Sequence, residues 1–184
     1  MKKFIIFKTL TILVCSAFLA ALGIICGKYL QIPIGNVMRF SFENTPIIMG
    51  GIIFGPVVGA VIGAVSDLIG CILVGYEINP LVTLGATAIG FVSGLINYVL
   101  NKYVKTGYGL RLTLSVIGAH LIGSVIIKTI GLSIYYAMPV YLLMLWRLLN
   151  YVIVGAAETI LLYYLLKNKM LSTQINAILR KGKR

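Results

Sequence analysis

Five apolar runs of helix length follow one another along this chain, at roughly 9–27, 46–75, 80–101, 110–131 and 140–166. Away from water, such a run can satisfy its own backbone hydrogen bonds only as a helix. Runs that recur from end to end therefore dictate an all-α integral membrane protein. Composition agrees, at 60% apolar and 11% charged residues with a mean hydropathy of +1.03. That leaves too little polar surface for a water-soluble fold of 184 residues. One membrane domain over 1–184 is expected, with little room for anything else.

The second run is 30 residues long, whereas one span needs about 20. It contains FGPVVG, where Pro56 lacks a helical N–H and Gly55 tolerates a turn. A short helix at about 42–54 and a full one at about 56–75 are expected. Charge favours this split. Six transmembrane helices put both termini on one side, together with Lys2, Lys3, Lys8, Lys102, Lys105, Arg111, Lys167, Lys169, Arg180, Lys181, Lys183 and Arg184. The positive-inside rule makes that side cytoplasmic. Five spans would separate the two basic ends. The net charge of +12 is then an orientation signal and a contact with anionic membrane lipid, rather than a nucleic-acid surface. The first run, Leu10 to Gly27, is read as a retained span: it is long and lacks a clear small-x-small cleavage site. Cys15, Cys26 and Cys71 lie in apolar runs without metal-ligand spacing and read as small buried residues.

The other charges point to function. Lys28, Arg39, Glu43 and Glu77 fall on the outer side, while Asp67, Lys128, Arg147 and Glu158 fall within spans. Asp67, Lys128 and Arg147 sit at outer depth, where an ionisable group usually faces a cavity or a partner. One reading is an Asp67–Lys128 structural pair with Arg147 reaching to the interface. The other is an outward-facing pocket in which Arg39, Lys128, Arg147 and Asp67 carry an excess of positive charge suited to a ligand with carboxylates. Asn44, Asn79, Asn150, Thr83, Tyr135, Tyr136, Tyr141 and Trp146 would hydrogen-bond and stack a flat heterocycle around them. Arg39 and Phe40 lie in an 18-residue outer loop, a length typical of a lid. No G-x-x-x-x-G-K-[ST] phosphate loop is present, so the chain is not expected to hydrolyse ATP itself. Small residues offer docking faces, with Ala17 and Ala21 on span one and Gly55, Gly59 and Gly63 on span three, continued by Ala86, Gly90 and Gly94 on span four. For each, packing inside the bundle is the alternative.

These features together resemble the substrate-binding S components of energy-coupling factor (ECF) vitamin transporters, and within them the folate-specific group. The resemblance spans essentially the whole chain. It is most specific over RFSFENTPIIMGGIIFGPVVGAVIGAVSDLIG, with support from NPLVTLGATAIGFVSGLI and YLLMLWRLLNYVIVGAAETILLYYLL. It implies a multi-pass protein of a prokaryotic cell membrane that binds a vitamin at the extracellular side and requires no cofactor. Its implied partners are a transmembrane coupling subunit, met through Ala17 and Ala21, and two ATPases. Arg39 and Arg147 would meet the carboxylates or polar edge of folate, Asp67, Asn79 and Thr83 its pterin, and Lys128 would otherwise neutralise Asp67. The segment GYEINP before span four is shorter than the family's usual glycine-, proline- and aromatic-rich one, which leaves a pantothenate or queuosine-precursor ligand open. Two other classes remain: a membrane scaffold, and an enzyme built on His120 and Ser124. The second is disfavoured, because a histidine bonded to a neighbouring helix explains the same pair.

The topology is testable by cysteine labelling from outside. A probe at Gly35 or Ser133 should react, and one at Thr106 should stay protected; labelling at Thr106 would overturn the six-span arrangement.

Overall fold

The computed structural model describes residues 10–34, 38–104, 107–137 and 139–181. Helix α1 (Leu10–Ile24) continues as a π-helical turn over Ile25–Tyr29. A small hairpin follows, in which β1 (Ile32–Ile34) pairs antiparallel with β2 (Met38–Phe40), Ile32 opposite Phe40 and Ile34 opposite Met38. Then come α2 (Asn44–Phe54), α3 (Pro56–Val74) and α4 (Pro80–Val99), the last prolonged by a π-helical stretch over Leu100–Val104. Helix α5 (Tyr108–Ala119) runs through a π-helical segment, His120–Ile127, into α6 (Lys128–Tyr136). Helices α7 (Val140–Lys167) and α8 (Lys169–Lys181) complete the described chain.

Five of these rods are long and apolar enough to cross a membrane: Leu10–Tyr29, Pro56–Val74, Pro80–Val104, Tyr108–Tyr135 and Val140–Lys167. Helix α2, with 11 residues, rises only about 17 Å, well short of a hydrocarbon core of about 30 Å. The break between α2 and α3 falls at Gly55, as the sequence leads one to expect. Its φ of 100° lies where an L side chain is disfavoured, and Pro56 opens α3 without an N–H to leave unpaired. Among the expected cytoplasmic cations, Lys2, Lys3, Lys8, Lys105, Lys183 and Arg184 lie outside the described residues, as do Gly35 and Thr106.

The glycine stripe of α3 is spent inside the bundle. A Cβ on Gly90 of α4 would run into the Gly59 carbonyl, and one on Gly63 into that of Ala86. Gly51 of α2 meets the Gly90 carbonyl in the same way, so three backbones touch around one point. Ile47, Ile48, Val58, Ile62, Ile89 and Val116 pack around that contact as a common core. Ala17 and Ala21 behave differently: both are exposed on α1, beside exposed Val14 and Phe18.

Helix α8 goes beyond what the sequence reading expects, which is only a basic tail. Asn168 is extended, and its side-chain oxygen accepts the Met170 N–H at 3.0 Å, so the chain turns sharply after α7. Ile178 then returns to pack against the core with Tyr163 and Leu166.

Gly90→Ala should therefore lower unfolding free energy by about 1–3 kcal/mol, because rigid backbone stands where the methyl must go. Gly107→Ala, with nothing within 4 Å of the new Cβ, should change it by less than about 0.5 kcal/mol. Thermal unfolding of both variants in detergent checks the contrast.

Candidate ligand-binding site

Glu43 stands immediately before α2, and Lys128 is the first residue of α6. Their side chains form an ion pair at 2.7 Å, with Lys128 5% and Glu43 25% exposed. Two glycines make room for it. A Cβ on Gly27 would lie 2.6 Å from Glu43 Oε2, and one on Gly85 would strike the Lys128 stem. This corrects the expected Asp67–Lys128 pair: among the described side chains, the direct acidic partner of Lys128 is Glu43. Asp67, buried on α3, instead accepts the Thr83 hydroxyl at 2.7 Å. Gly27 leaves the room in which Glu43 reaches Lys128, and Asp67 Oδ2 takes the Thr83 hydroxyl.

Other cations gather nearby. Lys28 lies in the π-turn that prolongs α1, with its Nζ 3.7 Å from Cys71 Sγ and 5.5 Å from the Tyr76 ring centre. Arg147 donates from Nε to the Ser124 carbonyl at 3.1 Å and from Nη2 to the Tyr151 hydroxyl at 3.3 Å. Burial alone would push the Glu43 carboxyl up. The charge and hydrogen bond of Lys128, with Lys28 and Arg147 farther off, outweigh burial and hold it below its ordinary value of 4.5. Lys28, Lys128 and Arg147 against Glu43 and Asp67 leave one positive charge in excess.

Among the described residues, three buried polar atoms at these elements have no hydrogen-bond partner: Asn44 Oδ1, Thr129 Oγ1 and Asn150 Oδ1. Asn44 is 1%, Thr129 1% and Asn150 8% exposed. A buried acceptor without a donor costs about 1–3 kcal/mol, so such atoms mark places where a ligand donor gains binding energy. Asn44 and Asn150 are expected site residues. Thr129 is not, although its position next to the intramembrane Lys128 is a usable signal.

The remaining expected residues divide. The Asn79 amide is committed to structure: its Oδ1 accepts from the N–H groups of Leu81 and Val82 at 3.0 and 3.4 Å, and its Nδ2 donates to the Gly131 carbonyl at 3.0 Å. It caps α4 and ties it to α6. The Tyr135 hydroxyl donates to Glu77 at the surface. Tyr141 and Trp146 are exposed, and Phe40 is half-buried. The side chains of Arg39 and Tyr136 lie outside the described residues. The Arg39 backbone is in β2, opposite Pro33, and β2 lies against α7.

His120 and Ser124 do meet, Nδ1 to Oγ at 3.2 Å, and the other ring nitrogen of His120 reaches Glu158 of α7. Ser124 and Glu158 are 0% exposed. This is a histidine bonded to a neighbouring helix.

The lowered Glu43 carboxyl has a pH consequence. A group whose folded-state value is depressed contributes stability above its unfolded value and loses it as pH falls through the folded one. Glu43→Gln should thus be less stable than wild type at neutral pH, and the gap should close as pH drops below 4.5. Unfolding temperatures across an acid series measure it.

The chain is similar to known membrane transport proteins. A family model described as ECF-type riboflavin transporter, S component, matches residues 7–171. A folate transporter FolT from Clostridium novyi (strain NT) is 27% identical over 157 residues, covering 85% of this chain and 88% of the relative. A crystal structure of a FolT bound with folic acid superposes with a TM-score of 0.69 at 24% identity, over 85% of this chain and 93% of that one. A biotin S component superposes with a TM-score of 0.62 at 21% identity, over 86% and 92%.

Proposed function

Because the chain belongs to the S-component family of ECF-type transporters, we propose that it is the vitamin-binding membrane subunit of such a transporter and that its ligand is folate. It sits in a prokaryotic cell membrane as a bundle of five long helices completed by the short α2, with both termini cytoplasmic, captures the vitamin from outside, and hands it to a separate coupling subunit with two ATPases. The observation that carries the ligand assignment is the pairing of excess positive charge with orphaned buried acceptors. Arg147 and Lys28 favour the two carboxylates of folate. The Asn44 and Asn150 oxygens and the Thr129 hydroxyl await N–H donors, which the amino and ring N–H groups of a pterin supply. The relation to the folate transporter supports the same ligand.

A second reading, riboflavin, is favoured by the description of the matching family model. Riboflavin offers a flat donor-bearing ring but no carboxylate, so it leaves the excess charge unanswered. On the partner side, the exposed Ala17 and Ala21 stripe suits close approach by a coupling-subunit helix.

Titration of the purified protein with folate and with riboflavin decides between the ligands. Arg147→Ala should weaken folate binding on the order of 30- to several-thousand-fold, as expected when one partner of a desolvated charge pair is lost. Ala17→Trp should leave binding intact and abolish uptake in cells carrying the coupling module. Folate binding unchanged by Arg147→Ala, or riboflavin binding tighter than folate, would reassign the ligand.

A further inference from the structure

Glu158 is completely buried in α7 and is not among the ligand contacts proposed above. Its Oε1 accepts the Thr45 hydroxyl of α2 at 3.0 Å, and its Oε2 meets His120 Nε2. The His120 ring contacts Ser124 Oγ at 3.2 Å and stacks on Tyr151, with ring centres 4.7 Å apart. Arg147 is held at both of its described hydrogen bonds by members of the same cluster, the Ser124 carbonyl and the Tyr151 hydroxyl. One carboxyl group thus fastens the first turn of α2, the π-helical segment and α7.

An apolar side chain of similar size would fill this space without the desolvation cost of a carboxyl group. What Glu158 adds is direction. Thr45 is the neighbour of Asn44, whose acceptor is orphaned, and Ser124 and Tyr151 set the reach of Arg147. We propose that Glu158 is a positioning residue for the ligand site. Through Thr45 it aims Asn44, and through His120, Ser124 and Tyr151 it aims Arg147, so that the two address one ligand in register. The proposal rests on reading Asn44 and Arg147 as ligand contacts. Glu158 itself touches no ligand, and the role asks only that its two hydrogen bonds persist.

Three variants of the full chain test it: Glu158→Gln, Glu158→Leu and Thr45→Val. The glutamine can still accept from Thr45 through its oxygen and donate to His120 through its nitrogen. Leucine fills the space and makes neither bond. Thr45→Val removes only the bond to α2 and keeps the shape.

Two readouts are taken. The first is folate affinity of variants shown to be folded by thermal unfolding. Glu158→Leu and Thr45→Val should lose about ten- to a hundredfold, and Glu158→Gln no more than about threefold. The second is hydrogen exchange without ligand at the amides of residues 48–51, which bond to the first-turn carbonyls of α2. Exchange there should speed up at least about tenfold in Glu158→Leu and Thr45→Val and stay unchanged in Glu158→Gln.

A folded Glu158→Leu with wild-type affinity and wild-type exchange overturns the proposal. So does a Glu158→Gln that loses as much as the leucine, since charge would then be the operative property. If Glu158→Leu does not fold, Thr45→Val decides by the same two criteria. If the wild type binds no folate, the ligand reading fails, and the exchange measurement alone still decides whether Glu158 orders α2.

Discussion

The backbones of α3 and α4 meet at Gly59 and Gly90 with no side chain between them. Apolar helices gain little by hiding from lipid tails that are equally apolar, so association depends on close packing and on hydrogen bonds. This contact supplies the first. It brings α4 to the centre of the bundle, where it touches α2, α3, α5, the π-helical segment and α6. The other helices take their positions from it, and the polar residues they carry are brought to one region as a result.

Hydrogen bonds and ion pairs then fix the details. Lys128 is buried against Glu43, Asp67 against Thr83 and Glu158 against Thr45 and His120. Each contact joins separate elements, so each ionisable side chain placed within the bundle also ties one element to another. Among the described residues, what stays unanswered is an excess of cation, two amide oxygens and one threonine hydroxyl. Those are the features that a carboxylated, N–H-bearing ligand complements.

Much of this was legible in the residues. The break at Gly55–Pro56 could be read because both residue types act on the backbone directly, wherever the rest of the chain goes. The outer-depth cations could be read because an intramembrane charge is costly and so conspicuous. The partner of Lys128 could not. Glu43 and Asp67 were both available, and the choice turned on Gly27 and Gly85 clearing space at points distant in sequence. Asn79 looked like a ligand contact and is a helix cap, a role its place just before Pro80 already suggested. Helix α8 is hidden by its charge: its run of cations resembles a solvated tail, while Ile178 packs back on the bundle.

The shortness of α2 has a consequence for the medium in which a ligand would be held. Thr45, in the first turn of α2, bonds to Glu158, which lies about 27 Å along α7 from Val140 at 1.5 Å per residue. Lys128, bonded to Glu43, lies about 12 Å along α6 from Tyr136. Both contacts lie well inside the length of the taller helices that flank α2. An anionic ligand held beside Lys128 at that depth would exchange its hydration shell for fixed dipoles and charges of the protein. In that low-dielectric setting each cation attracts it several times more strongly than it would at a surface bathed in water.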